Sequence, residues 1–136
     1  MSKVTPIDEE YLFEGSIMIS QTDLDGAITF VNRKYCDVSG YSVDELLGKE
    51  HNIVKHPEMP NAAFSKMWDS ISSGHTWNGL LKNLRKDGLY YWTSTEILPI
   101  TDDDNNVTGF ISANKSPSRK DIEDAHEIYT KMYQDQ

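Results

Sequence analysis

The 136-residue chain is expected to fold as α+β, one antiparallel sheet with its helices gathered in the middle of the order. Three observations predict this. Hairpin turns stand near both ends, the segments flanking them alternate with a period of two, and a 3.6-residue apolar stripe lies between.

Ile17-Met18-Ile19-Ser20 is short, apolar and β-prone, and Asp25-Gly26 supplies a hairpin turn into Ala27-Ile28-Thr29-Phe30-Val31. Asn32 can cap a short helix carrying Tyr35 and Val38, which Gly40 ends. Ser42 and Glu45 have capping-box spacing and open another short helix that Gly48 closes. Residues 49–60 contain two prolines and no clean period, so they read as loop or single turns, with Pro60 suited to the first turn of the next helix. That helix places Phe64, Met67, Trp68 and Ile71 on one stripe and stops at Gly74.

From there the period becomes two. Residues 77–85 and 89–98 are strands joined around Asp87-Gly88, residues 102–106 are an acidic, Asn-rich turn, and residues 107–114 are the last strand. Ser118 with Asp121 can cap a terminal helix bearing Ile122, Ala125, Tyr129 and Met132 or Tyr133 on one face.

One domain of this length buries roughly two-thirds of its unfolded surface, enough for a core and one ligand cavity. No apolar run approaches the roughly 20 residues of a membrane helix, and residues 1–6 lack a signal-peptide apolar stretch, so a cytoplasmic domain with no direct membrane insertion is expected. The formal charge of −9, from 22 acids against 13 bases, disfavours phosphate backbones and hence nucleic acid. Lys82, Arg85 and Lys86 form a local basic cluster, read as a solvated strand end. Cys36 is the single cysteine, which excludes an intramolecular disulfide and a cysteine zinc site.

The element order, together with Asp25-Gly26-Ala27-Ile28-Thr29-Phe30-Val31-Asn32, Ser39-Gly40-Tyr41-Ser42 and Glu45-Leu46-Leu47-Gly48, resembles the PAS family over residues 12–116. A narrower set of motifs runs His51 to Pro60, then Ala62-Ala63-Phe64, Met67-Trp68, Trp77-Asn78-Gly79, Lys82-Asn83, Arg85-Lys86 and Tyr91-Trp92. These are similar to the FAD-binding PAS domain of aerotaxis receptors. The resemblance implies a five-stranded antiparallel sheet with helices over one face and a flavin between them, FAD ahead of FMN. It places Asn32, Lys55, His56, Glu58, Trp68, Trp77, Asn83 and Tyr91 near the cofactor. Two of these depart from the receptor pattern: Lys55 stands where arginine is usual and Glu58 where aspartate is usual. Lysine keeps the charge but loses the bidentate fork that grips a diphosphate.

The resemblance also divides the chain into an N-terminal extension (1–11), a PAS domain (12–116) and a C-terminal helix or linker to an absent output module (117–136). It makes the expected partner a signalling or output domain of the same or another receptor chain, with a PAS homodimer possible, and the expected role redox or oxygen sensing.

A flavin needs aromatic or aliphatic walls and a few fixed hydrogen-bonding groups. Period two puts Trp77, Gly79, Leu81, Asn83 and Arg85 on one strand face, giving wall, clearance and an amide together. Trp92 should face the side opposite Tyr91; exposed there beside Tyr90, it would suit docking of a partner or of the terminal helix.

Other readings draw on the same residues. His51 and His56, five apart in an irregular segment, do not match a helical zinc pair, whereas one histidine could hold haem, as in some PAS domains. A ligand-free PAS module acting in signalling or dimerisation is the other alternative. A photosensor of the LOV type needs a thiol in an Asn-Cys-Arg-Phe motif; the corresponding region here is His51-Asn52-Ile53-Val54, and Cys36 reads as a small packed hydrophobe. No nucleophile–base pair or nucleotide-binding glycine loop appears, so no enzymatic activity is expected.

Overall fold

The computed structural model describes residues 4–135. Five strands, β1 (Met18–Asp23), β2 (Ile28–Val31), β3 (Trp77–Leu84), β4 (Tyr90–Thr101) and β5 (Val107–Lys115), form one sheet in the order β2-β1-β5-β4-β3. Every neighbouring pair is antiparallel. Between β2 and β3 come α1 (Arg33–Ser39), α2 (Val43–Leu46), a 3-10 turn (His51–Val54) and α3 (Asn61–Ser72), and α4 (Arg119–Asp135) ends the chain.

The short helices begin where side chains satisfy their first backbone donors. Asn32 Oδ1 accepts from Tyr35 N–H at 3.0 Å, and Gly40, at φ +81°, ends α1 in the left-handed region. Ser42 and Glu45 make the reciprocal capping box of α2. In α3 the expected stripe is in place, with Met67 and Ile71 buried and Phe64 and Trp68 partly buried against the sheet.

Alternation assigns the faces. The pairs Leu81↔Thr93, Asn83↔Tyr91 and Thr95↔Asn114 point toward α1 to α3, while Lys82↔Trp92 points away. Trp92 is therefore on the outer face, as expected, and of the two occupants expected there the terminal helix is the one that covers it. Residues of α4 lie over it: Tyr129 stacks at 6.4 Å with 3° between planes, and its hydroxyl donates to Leu80 O at 2.7 Å. Trp92 is left only 4% exposed.

The basic cluster, by contrast, departs from expectation. Lys82 Nζ bonds Glu58 at 3.0 Å, Arg85 donates to the Asp37 and Val38 carbonyls at the end of α1, and Lys86 meets Glu45. The side chains of Lys82 and Arg85 are only 12% and 13% exposed, so these two cations tie elements together rather than solvate a strand end. Residues of the N-terminal stretch run along the β3–β4 hairpin: Ile7 N–H donates to Gly88 O at 2.8 Å and Tyr11 N–H to Tyr90 O at 2.7 Å.

Candidate functional site

The apolar core is divided. One cluster holds Met18, Ile28, Val31, Tyr35, Val38, Tyr41, Leu46, Val54 and Tyr91; the other holds Met67, Ile71, Ile97 and Phe110. Between them lies a cavity of about 240 Å³. Its roof is Val54 with the α3 stripe Phe64, Met67, Trp68 and Ile71, and its floor is the inner face of β1, β3, β4 and β5. Among the lining residues Asp25, Glu50 and Asn52 are exposed and mark the rim.

The floor is polar. Ser20, Thr22, Asn83, Thr93, Ser112 and Asn114 line it, and each is at most 8% exposed. Burying such groups is costly unless they are hydrogen-bonded, and the side chains of all but Thr22 are. Asn83 Nδ2 donates to Thr93 Oγ1 at 3.2 Å, Thr93 and Thr95 hydroxyls lie 2.8 Å apart, and Thr95 donates to Asn114 Oδ1 at 2.7 Å. On the β1 side Ser20 Oγ lies 2.8 Å, and the Tyr35 hydroxyl 3.4 Å, from His51 Nε2. Burial pushes the His51 pKa down and the Tyr35 and Tyr91 hydroxyls well up, so all three favour their neutral forms.

Of the eight residues named from sequence, Lys55, Trp68, Asn83 and Tyr91 line this cavity. Lys55 sits at the rim, its Nζ 3.0 Å from Asn61 Oδ1 and 5.0 Å from the Phe64 ring centre. The Trp68 ring reaches across to the β1–β2 turn and packs edge-on to Phe110 at 5.7 Å. Gly26, at φ +86°, leaves it room, since a Cβ there would stand 3.2 Å from Trp68 Cη2.

The other four stand elsewhere. Asn32 spends its side chain on the α1 cap, on Ile19 N–H at 3.0 Å and on Ile17 O at 2.9 Å. Trp77 shares the inner face but folds back over Gly79 and packs with the second core cluster. His56 is buried beside Tyr90, its Nδ1 accepting from Glu58 N–H at 3.0 Å. The Glu58 carboxylate is exposed and held below the usual range mainly by its Lys82 hydrogen bond.

The sequence reading had not singled out Tyr35, Thr93, Ser112 or Asn114 as site residues, nor Ser20. One signal was available: Ser112 and Asn114 follow Phe110 at period two, as Thr93 follows Tyr91. His51 does face the cavity, yet its Nε2 is engaged by Ser20, and no group of three metal-ligating side chains exists among the described residues. The single cysteine, Cys36, packs against the first core cluster and is not part of the lining.

With fold and cavity in view, the class is plain: residues 28–114 match the model of the PAS fold, and the chain belongs to the PAS family. Among individual proteins, it is 36% identical to the aerotaxis receptor of Escherichia coli over 87% of this chain and 23% of that protein. It is 31% identical to the bacterioopsin transcriptional activator of Halobacterium salinarum, over 77% of this chain and 16% of the relative. A blue-light photoreceptor of Listeria monocytogenes is also 31% identical, over 68% of this chain and 37% of the relative. The chain thus spans a minor part of each of these relatives. Among solved structures, the light state of the Aureochrome1 LOV photoreceptor superposes with a TM-score of 0.73 at 22% identity, covering 80% of this chain and 91% of that one. A PAS domain from Colwellia psychrerythraea gives 0.69 at 24% identity, over 76% and 87%. These two likenesses concern the fold.

Proposed function

We propose that the chain is a flavin-binding PAS sensory domain that reports redox state to a signalling partner, with FAD as the flavin. The observation that carries this reading is the divided core: a cavity roofed by Phe64, Met67 and Trp68 and floored by a satisfied row of amides and hydroxyls. Apolar faces above and fixed polar groups below suit a flat heteroaromatic ring that is apolar on its faces and polar at its edges. The E. coli relative is named an aerotaxis receptor, which agrees with redox or oxygen as the stimulus.

Size and charge bear on the choice of flavin. A space of about 240 Å³ falls just below the roughly 300–1,000 Å³ of typical small-molecule clefts. It suits a ring system, with any phosphate-bearing chain leaving by the rim. There Lys55 would meet the phosphates, against the unfavourable carboxylates of Asp25 and Glu50. When bound, a flavin supplies a ring whose edge turns from hydrogen-bond acceptor to donor at N5 on reduction. The protein's part is to answer that exchange by making or losing a bond at the polar floor. One or two such bonds, roughly 1–3 kcal/mol, shift a two-state equilibrium by about one to two decades. Such a change would pass to the β3–β4 hairpin, whose outer face carries Trp92 and α4.

Purified protein, expressed with excess riboflavin, should show flavin absorbance, and chromatography of the heat-released pigment should yield FAD. Colourless protein that also leaves added FAD and riboflavin unbound would falsify the reading. A Soret band would replace it with haem sensing.

A further inference from the structure

The hydrogen bonds of the cavity floor have a forced direction. Met18 O on β1 is a carbonyl and can only accept, and Asn114 Nδ2 lies 3.2 Å from it, so the amide nitrogen faces β1. Asn114 Oδ1 then turns to Thr95 Oγ1 at 2.7 Å and Ser112 Oγ at 3.3 Å. Thr95 spends its one proton on that oxygen and can only accept from Thr93, 2.8 Å away. Thr93 has spent its proton too, and its oxygen accepts from Asn83 Nδ2 at 3.2 Å. The second Nδ2 proton of Asn83 goes to another carbonyl, Leu81 O, at 3.3 Å.

Both ends are thus anchored by groups that cannot donate, and the row has one consistent sense. Both Asn114 amide atoms are used. The one amide oxygen of the row to which no described residue donates is Asn83 Oδ1, on a residue that lines the cavity. Rotating this amide would set its oxygen against Leu81 O and against a Thr93 hydroxyl with no proton left to give.

We propose that Thr93, Thr95 and Asn114 are positioning residues, a one-way hydrogen-bond row that fixes Asn83 as an acceptor toward the cavity, so that the site selects a ligand edge bearing an N–H. Only the choice of probe rests on the flavin reading. An oxidised flavin has a single ring N–H, the imide at N3, so riboflavin and 3-methylriboflavin differ in that one donor, and neither carries phosphate.

The test measures both dissociation constants for wild type, Thr95→Val and Thr95→Ser. It adds side-chain amide NMR of the ligand-free proteins. Wild type should prefer riboflavin by roughly tenfold, the worth of one hydrogen bond. Thr95→Val keeps the shape but removes the relayed proton, and the preference should fall toward parity, while Thr95→Ser restores it. A purely structural role would weaken both ligands alike and leave the ratio unmoved, and that outcome overturns the proposal, as does equal wild-type affinity. If wild type binds neither flavin, the flavin reading fails, and the NMR arm still decides the row. Slowly exchanging Asn83 amide protons with contacts to Thr93, lost in Thr95→Val, would uphold it. A freely exchanging or two-state Asn83 amide in wild type would sink it.

Discussion

His56 lies in the strap between the 3-10 turn and α3, 4% exposed, with Nδ1 accepting from Glu58 N–H. Burial first, and the nearby Lys82 cation second, lower its pKa from 6.5 to about 4, against the opposing pull of Glu58. Above pH 6.5 the imidazole is neutral whether folded or unfolded, and it costs nothing. As pH falls below that, the unfolded chain binds a proton that the folded one refuses, so stability declines until the folded state titrates near pH 4. The full loss is about 3 kcal/mol. Urea unfolding between pH 7.5 and 4.5 should show this decline in wild type and much less of it in His56→Asn, which keeps an acceptor in place but cannot titrate. Equal slopes would remove His56 as the cause.

Lys55 gives a second residue-scale prediction. If the phosphate-bearing chain leaves by the rim, Lys55→Ala should weaken FAD by up to about fivefold, the worth of one partly exposed charge pair, and leave riboflavin almost unchanged. Parallel titrations with the two flavins separate these outcomes. Equal losses would place the phosphates away from Lys55.

At the scale of elements, the contact between α3 and the β1–β2 turn depends on the absence of a side chain at Gly26. Alanine there must adopt φ +86° and bring its Cβ within 3.2 Å of Trp68. Gly26→Ala should therefore cost about 1–2 kcal/mol and shift the Trp68 emission, since the ring must move. An unchanged denaturation midpoint and spectrum would contradict the packing described. The docking of α4 is tested by Tyr129→Phe, which removes only the hydroxyl donated to Leu80 O. About 1 kcal/mol should be lost. Amide exchange in α4 should quicken more than exchange in β1 or β5, and a uniform change would argue that α4 is not a separately detachable element.

Across the whole molecule, the two core clusters meet around a cavity rather than each other, so a ligand there contacts both. Riboflavin at 100 times its dissociation constant should stabilise the fold by about 2.7 kcal/mol and raise one cooperative transition. Calorimetry showing two separable transitions, or a midpoint indifferent to the ligand, would mean the clusters are not coupled through that space.

How much of this was legible from sequence follows from the range of each interaction. Asn32, Gly40, Ser42 and Glu45 cap helices through contacts three or four residues away, and their spacing shows it directly. Alternation likewise gave Trp92 a face opposite Tyr91. It left a partner and the terminal helix as alternative covers of that face, a choice that Tyr129, 37 positions on, decides, and it gave no sign that Arg85 reaches back to the end of α1. Asn32 and Trp77 belong to the motifs that carry the resemblance to aerotaxis receptors, but the first is consumed by its cap and the second by the core beside Gly79.

By itself, then, the order of residues determined the elements, their ends and the two faces of each strand, because turns, caps and periodicity act within a few positions. Tertiary structure decided which strands became neighbours and hence which polar side chains meet. Asn83, Thr95 and Asn114 form one row only because β5 inserts between β1 and β4. Hydrogen bonds reach about 3 Å, and sequence separation carries no information about which distant groups come within that reach.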